Sequence, residues 1–190
     1  MKKRNQLTSR SHDSRACLSA AIHILDQGSE LLNHVTDEVY QQSLSVASGA
    51  SIGAHYRHCL DHFHCLLSGG ERGLIDFDQR QRDSELERDP EQAQQVTRQI
   101  RGRLREWLEE DWDRAIVVRC KVHYATDEGQ QVMSTLSREV MYVVAHAVHH
   151  FALIAIMAKV LEFPLPDEFG VAPSTLQHRA ELGFGVAVGQ

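Results

Sequence analysis

The sequence predicts an all-α protein: an antiparallel four-helix bundle with a small β-hairpin inserted before the last helix. Three observations carry that expectation. Three segments place apolar residues at helical spacing. A fourth is apolar almost all round, which in a bundle marks the most buried member. Between the third and fourth segments the period changes to the alternation of a strand. With 190 residues, 42% of them hydrophobic and 24% charged, the chain is sized for one domain with a substantial core.

The opening MKKRNQLTSR is charged with no apolar stretch behind it, so residues 1–13 read as a flexible tail rather than a targeting signal. The first helix is expected over 14–34, with Leu18, Ile22, Leu25 and Leu32 along one stripe. A polar connection leads to a second helix over 51–67, capped by Ser51 and ended by Gly69-Gly70. Residues 74–89 show no period and read as a charged loop containing Asp76, Asp78, Arg80 and Arg82. Pro90 suits the first turn of a third helix reaching about residue 110. The run AIVVRCKVHYA at 115–125 is rich in β-branched residues and alternates in part, predicting a strand that closes as a hairpin with 130–134. The fourth helix is expected over 137–161, stopped by Pro164 and Pro166. The bundle domain then spans 14–176, with 177–190 as a C-terminal tail.

The chemistry concentrates in two histidine clusters. Residues 138–162 read REVMYVVAHAVHHFALIAIMAKVLE, with His146, His149 and His150 inside an apolar helix. Imidazoles in such a segment need partners, because an unsatisfied buried polar group costs about 1–3 kcal/mol. His146 and His150 are four residues apart, so their side chains stack on one face about 5–6 Å apart at Cβ, within reach of one metal ion. The alternative is a polar seam satisfied by hydrogen bonds. Residues 51–68 read SIGAHYRHCLDHFHCLLS; His55, His58 and His62 share a face, and His64 points the other way. Two helices that each offer imidazoles from an inward face suit a three-histidine site with coordination positions left open, as a catalytic metal requires. Spacing alone leaves open which of the first cluster's histidines takes part, and whether His55, His62 or His149 closes the site as a fourth ligand.

Tyr142 lies one turn before His146 on the same face, a candidate catalytic group or else a core aromatic. Asp61 follows His58 by three residues, either orienting an imidazole or lying at the surface. Arg80 and Arg82 are candidates for holding an anionic substrate or cofactor at the pocket mouth, against a loop braced by its own ion pairs.

The pattern SIGxxxxH in one helix, followed by HxxHH deep in an apolar one, resembles the DinB-like (YfiT-like) family of small four-helix metal-binding proteins. The resemblance covers about 18–160 in helix order. It implies a divalent metal held by His58, at the position set by the SIG motif, with His146 and His150. It further implies a homodimer, and a metal-dependent thiol S-transferase using a low-molecular-weight thiol.

Composition removes other classes. A net charge of −6 argues against nucleic-acid binding. No GxSxG, P-loop, GxGxxG or HExxH occurs. Cys17, Cys59, Cys65 and Cys120 lack CxxC spacing and read as reduced thiols of a cytoplasmic protein. The last helix is long enough for a membrane, but its histidines and flanking charges predict a buried helix and no membrane. Neutral imidazoles suit zinc, nickel or ferrous iron, and sequence does not choose among them. The expected function is a metal-dependent enzyme on a small molecule. A metal-dependent hydrolase and a non-catalytic metal-binding protein, structural or stress-related, are the alternatives.

Overall fold

The computed structural model describes residues 2–107, 111–125 and 129–183, and of 2–14 the backbone alone. The elements in order are α1 (Lys2–His34), α2 (Asp37–Gln41), α3 (Ile52–Arg72), β1 (Leu74–Asp76), α4 (Pro90–Glu106), β2 (Ala115–Cys120), β3 (Gln130–Thr135), α5 (Leu136–Val160) and α6 (Pro173–Glu181). The all-α bundle expected from periodicity is therefore corrected: six helices accompany a three-stranded mixed sheet, an α/β combination. The β2–β3 hairpin stands where the alternation marks it, with Ile116 opposite Ser134 and Val118 opposite Val132. The unexpected strand is β1, which runs parallel to β2 and sets Ile75 beside Val118. Three residues are too few to show a period, and the pairing that makes Leu-Ile-Asp a strand comes from more than forty residues downstream.

Helix boundaries moved for local reasons. Helix α1 begins at Lys2, so the stretch expected to be a tail is helical, and α6 covers part of the expected C-terminal tail. The last residues of that tail, 184–190, lie outside the described residues, as does the expected end of α4 at 108–110. Helix α3 passes through Gly69 and Gly70 and ends at Gly73, whose φ of 79° supplies the left-handed cap. Gly69 is there for room instead: a Cβ would lie 2.6 Å from the Ile75 Cα. Three side-chain oxygens cap their helices in the usual way. Ser51 accepts from the Ala54 amide, Asp89 from Gln92 and Thr135 from Arg138.

The core lies where α5 packs on α3 and α1, and α4 packs on α1 and α3. Tyr56, Phe63, Leu66, Val143, Phe151 and Ile154 are buried there. Helix α5 is long and apolar enough to cross a membrane by length and composition, yet one side of it is this core, with Leu136, Val140, Val143, Ala147, Phe151 and Ile154 turned inward. The sheet flanks α3, and its β3 runs directly into α5. The 77–89 loop returns from the sheet across α3. Tyr40 donates to the Leu86 carbonyl at 2.8 Å, and Arg57 donates to Glu87 at 2.9 Å. Gly53 lets that loop close in, since a Cβ would lie 2.1 Å from the Glu87 carbonyl oxygen.

Candidate metal centre

The packing of α3 on α5 brings five histidines together. His58 and His146 face each other with their Nε2 atoms 2.9 Å apart. His55 and His150 meet through Nδ1 atoms, also at 2.9 Å. Ring centroids of His58 lie 4.5 Å from His150 and 5.0 Å from His146, and those two are 4.6 Å apart. His62 joins from below, its ring 4.0 Å from His146 and stacked on Phe77. His149 is exposed and touches the cluster only edge-on against His150. His64 points away and is enclosed elsewhere, with an unpartnered Nε2.

Within this group, His58, His146 and His150 each offer a ring nitrogen, and the three atoms lie within 4.8 Å of one another, close enough to hold a metal ion. Two imidazole nitrogens on one tetrahedral ion at 2.0–2.1 Å stand about 3.3–3.4 Å apart. The 2.9 Å separation of the His58 and His146 nitrogens is a few tenths short of that, a gap in distance that small side-chain movements close. Two further observations fit a metal better than a polar seam. Buried nitrogens of His55 (Nε2) and His62 (Nδ1) have no hydrogen-bond partner. Among the described residues no carboxylate hydrogen-bonds to any of the five rings, so nothing supports their protonated forms.

Electrostatics point the same way. Burial pushes the imidazoles of His58, His62 and His150 down to about 3, and their histidine neighbours add to the depression. Burial lowers His146 and His55 as well. The rings are neutral at ordinary pH, the form that binds metal. A histidine near 6.5 when unfolded but held near 3 in the fold takes up its proton on unfolding first as pH falls. Metal-free protein is therefore expected to have its full stability above about pH 6.5 and to lose stability progressively down to about pH 3. Urea midpoints of chelator-treated protein across that range test it; a midpoint independent of pH would show the rings to be solvated instead.

The other predicted residues divide. Tyr142 is half-buried, stacks on His146 at 5.8 Å, and packs against Phe77. Burial raises its phenol, which therefore keeps its proton. Arg80 reaches the cluster: its Nη1 donates to His58 Nδ1 at 2.6 Å. Arg82 does not; it is exposed, with a φ of 51°, and among the described residues forms no hydrogen bond to the histidines. Asp61 orients no imidazole: it is buried and accepts from Arg57 at 2.6 Å. Sequence reasoning missed that Arg57 clasps both Asp61 and Glu87, although its place four residues before Asp61 was a usable sign. Glu139, seven residues before His146, is buried and accepts from Ser134 and Arg138. An apolar cavity of about 460 Å³ between α1 and the 163–169 loop, lined by Leu31, Phe163, Leu165 and Phe169, contains none of the clustered histidines.

No protein-family model matches the chain. It is similar to FK506-binding protein 5 of Rhizopus delemar, 30% identical over 105 residues, which cover 55% of this chain and 27% of that protein. The chain thus spans about a quarter of that relative's length.

Proposed function

We propose that the protein binds a divalent transition metal through His58, His146 and His150 and uses it as an enzyme acting on a small molecule. The observation that carries this reading is the meeting of three neutral imidazoles from two helices within 4.8 Å. The same two histidine motifs support membership of the DinB-like family. They also support zinc, nickel or ferrous iron as the ion. A cytoplasmic homodimer completes the proposal, and Met141, Ile156 and Val160, exposed along α5, supply apolar surface for self-association.

The reaction that suits the site is conjugation of a low-molecular-weight thiol to an electrophile. When bound, the ion supplies Lewis acidity, lowering the pKa of a coordinated thiol so that a nucleophile exists at neutral pH. The chain's own residues supply the rest. Tyr142, whose ring stacks on His146, keeps the proton of its phenol and would donate it to a leaving group. Arg80 brings a guanidinium into hydrogen-bond contact with the cluster, and Phe77 shields one face of His62 from water. We expect purified protein to conjugate small thiols to electrophilic acceptors, and the activity to vanish with a chelator and return with added metal. Hydrolysis without any thiol would replace this reading by the hydrolase.

One observation favours a non-catalytic site. His62 is only 5% exposed, its Nδ1 is unpartnered, and its ring is close to His146. As a fourth ligand it would close the coordination shell. Inactivity of fully metal-loaded protein in both assays, with metal lost on His62→Ala, would establish that case.

A further inference from the structure

We propose that Arg80 binds the carboxylate of a small-molecule ligand beside the histidine cluster, and that this binding strengthens the cluster's hold on its metal ion. The inference rests on the metal reading above and adds to it the chemical class of the ligand.

The first observation is a conflict of hydrogen positions. A guanidinium only donates. Because Arg80 Nη1 lies 2.6 Å from His58 Nδ1, that nitrogen must accept, and the hydrogen of the neutral ring sits on Nε2. Nε2 faces His146 Nε2 at 2.9 Å, so it donates there. In this arrangement His58 has no lone pair to offer on the side where His146 and His150 converge. Ligation through Nε2 requires the hydrogen on Nδ1, where it would oppose the donor of Arg80. Arg80 and a metal ion therefore select opposite tautomers of His58, and the metal binds only as Arg80 lets go.

The second observation is independent of the first. Arg80 Nε is buried and has no acceptor. Nε and a terminal nitrogen form the edge of a guanidinium that matches the two oxygens of a carboxylate. The nearby carboxylates of the same loop are engaged elsewhere. Asp76 accepts from the amides of Asp78 and Gln79, Asp78 accepts from the Lys121 amide, and Asp83 accepts from the Glu85 amide. Among the described residues none hydrogen-bonds to Arg80, and a ligand carboxylate would supply the missing acceptor. A single charge is indicated, because the neighbouring arginines are already paired, Arg57 with Asp61 and Glu87, and Arg138 with Glu139. Because Nε is enclosed where Arg80 now sits, a carboxylate pairs with it only as the guanidinium moves; that movement takes Nη1 off His58 and frees the ring for the metal, and the coupling is reciprocal.

Cobalt(II) titrations followed by visible absorption, with and without excess benzoate, test this. Wild-type protein is expected to bind cobalt about 5-fold or more tightly when benzoate is present, the lower end of ordinary coupling between sites. Arg80→Met should bind cobalt more tightly than wild type without benzoate and show no response to it. Arg80→Lys, which keeps the charge but not the paired donors, should lose most of the response. Circular dichroism confirms that each variant is folded. Equal benzoate responses in wild type and Arg80→Met would mean that benzoate coordinates the ion directly, and would overturn the proposal. So would identical cobalt affinities of the two without benzoate. Failure of wild-type protein to bind cobalt at all is a different result: it removes the metal reading, and this inference with it.

Discussion

Replacing His146 with alanine is expected to weaken divalent-metal binding by more than the 10–100-fold typical of losing a hydrogen-bond partner one shell further out, since His146 is itself a ligand in the proposed site. It is the central ring of the cluster, between Tyr142, His58, His62 and His150. The helix should survive the change, because alanine is the best helix former and His146 is only half-buried. Loss of metal would then be a statement about ligation rather than folding. His149→Ala is the matched control, an exposed histidine on the same helix. Isothermal titration with zinc reads the difference, and thermal shift gives a second measure, since metal at 100 times its Kd stabilises by about 2.7 kcal/mol. Equal affinities of the two variants would remove His146 from the site.

The largest loss of stability is expected from Phe151→Ala, about 3–5 kcal/mol. Phe151 is 2% exposed and lies one residue beyond the histidines. Its ring stacks on Phe169 at 4.9 Å and on Tyr56 at 5.9 Å, joining the segment after α5 to the core of α3. Each aromatic pair adds about 0.5–1.5 kcal/mol beyond the area buried. Gly170 closes against the same turn of α5: a Cβ there would meet the Phe151 backbone at 2.4 Å. Neighbours fixed this firmly do not collapse into the gap, which places the effect high in the range. Urea denaturation measures it; a loss below about 1 kcal/mol would show that the stack carries little of the fold, as a site that relaxes fully would.

These residues also show what a sequence discloses. The long helices were legible because amphipathic period, the Ser51 cap and Pro90 in a first turn are local signals. The convergence of α3 and α5 histidines was legible because imidazoles on an inward face have few structural explanations. The parallel pairing of Leu74–Asp76 with β2 was not legible, because it depends on a partner distant in the chain. Gly69 and Gly70 misled for a related reason: their role is clearance for Ile75 and Trp107, which only the packed structure reveals. Arg80 and Arg82 look alike in the sequence, two residues apart in a charged loop. The turn at Asp76 and the left-handed backbone at Arg82 send one to the histidines and the other to solvent.

The loop that carries Arg80 is fastened at both ends. At one end Asp78 accepts from the Lys121 amide next to the sheet; at the other, Tyr40, Arg57 and Gly53 hold residues 86–87 against α2 and α3. The consequence is kinetic. A side chain between two such anchors can change partners at the pace of loop motion, nanoseconds to microseconds, with no helix unpacked. The proposed exchange of Arg80 between His58 and another acceptor would thus be decoupled from the slow opening of the core.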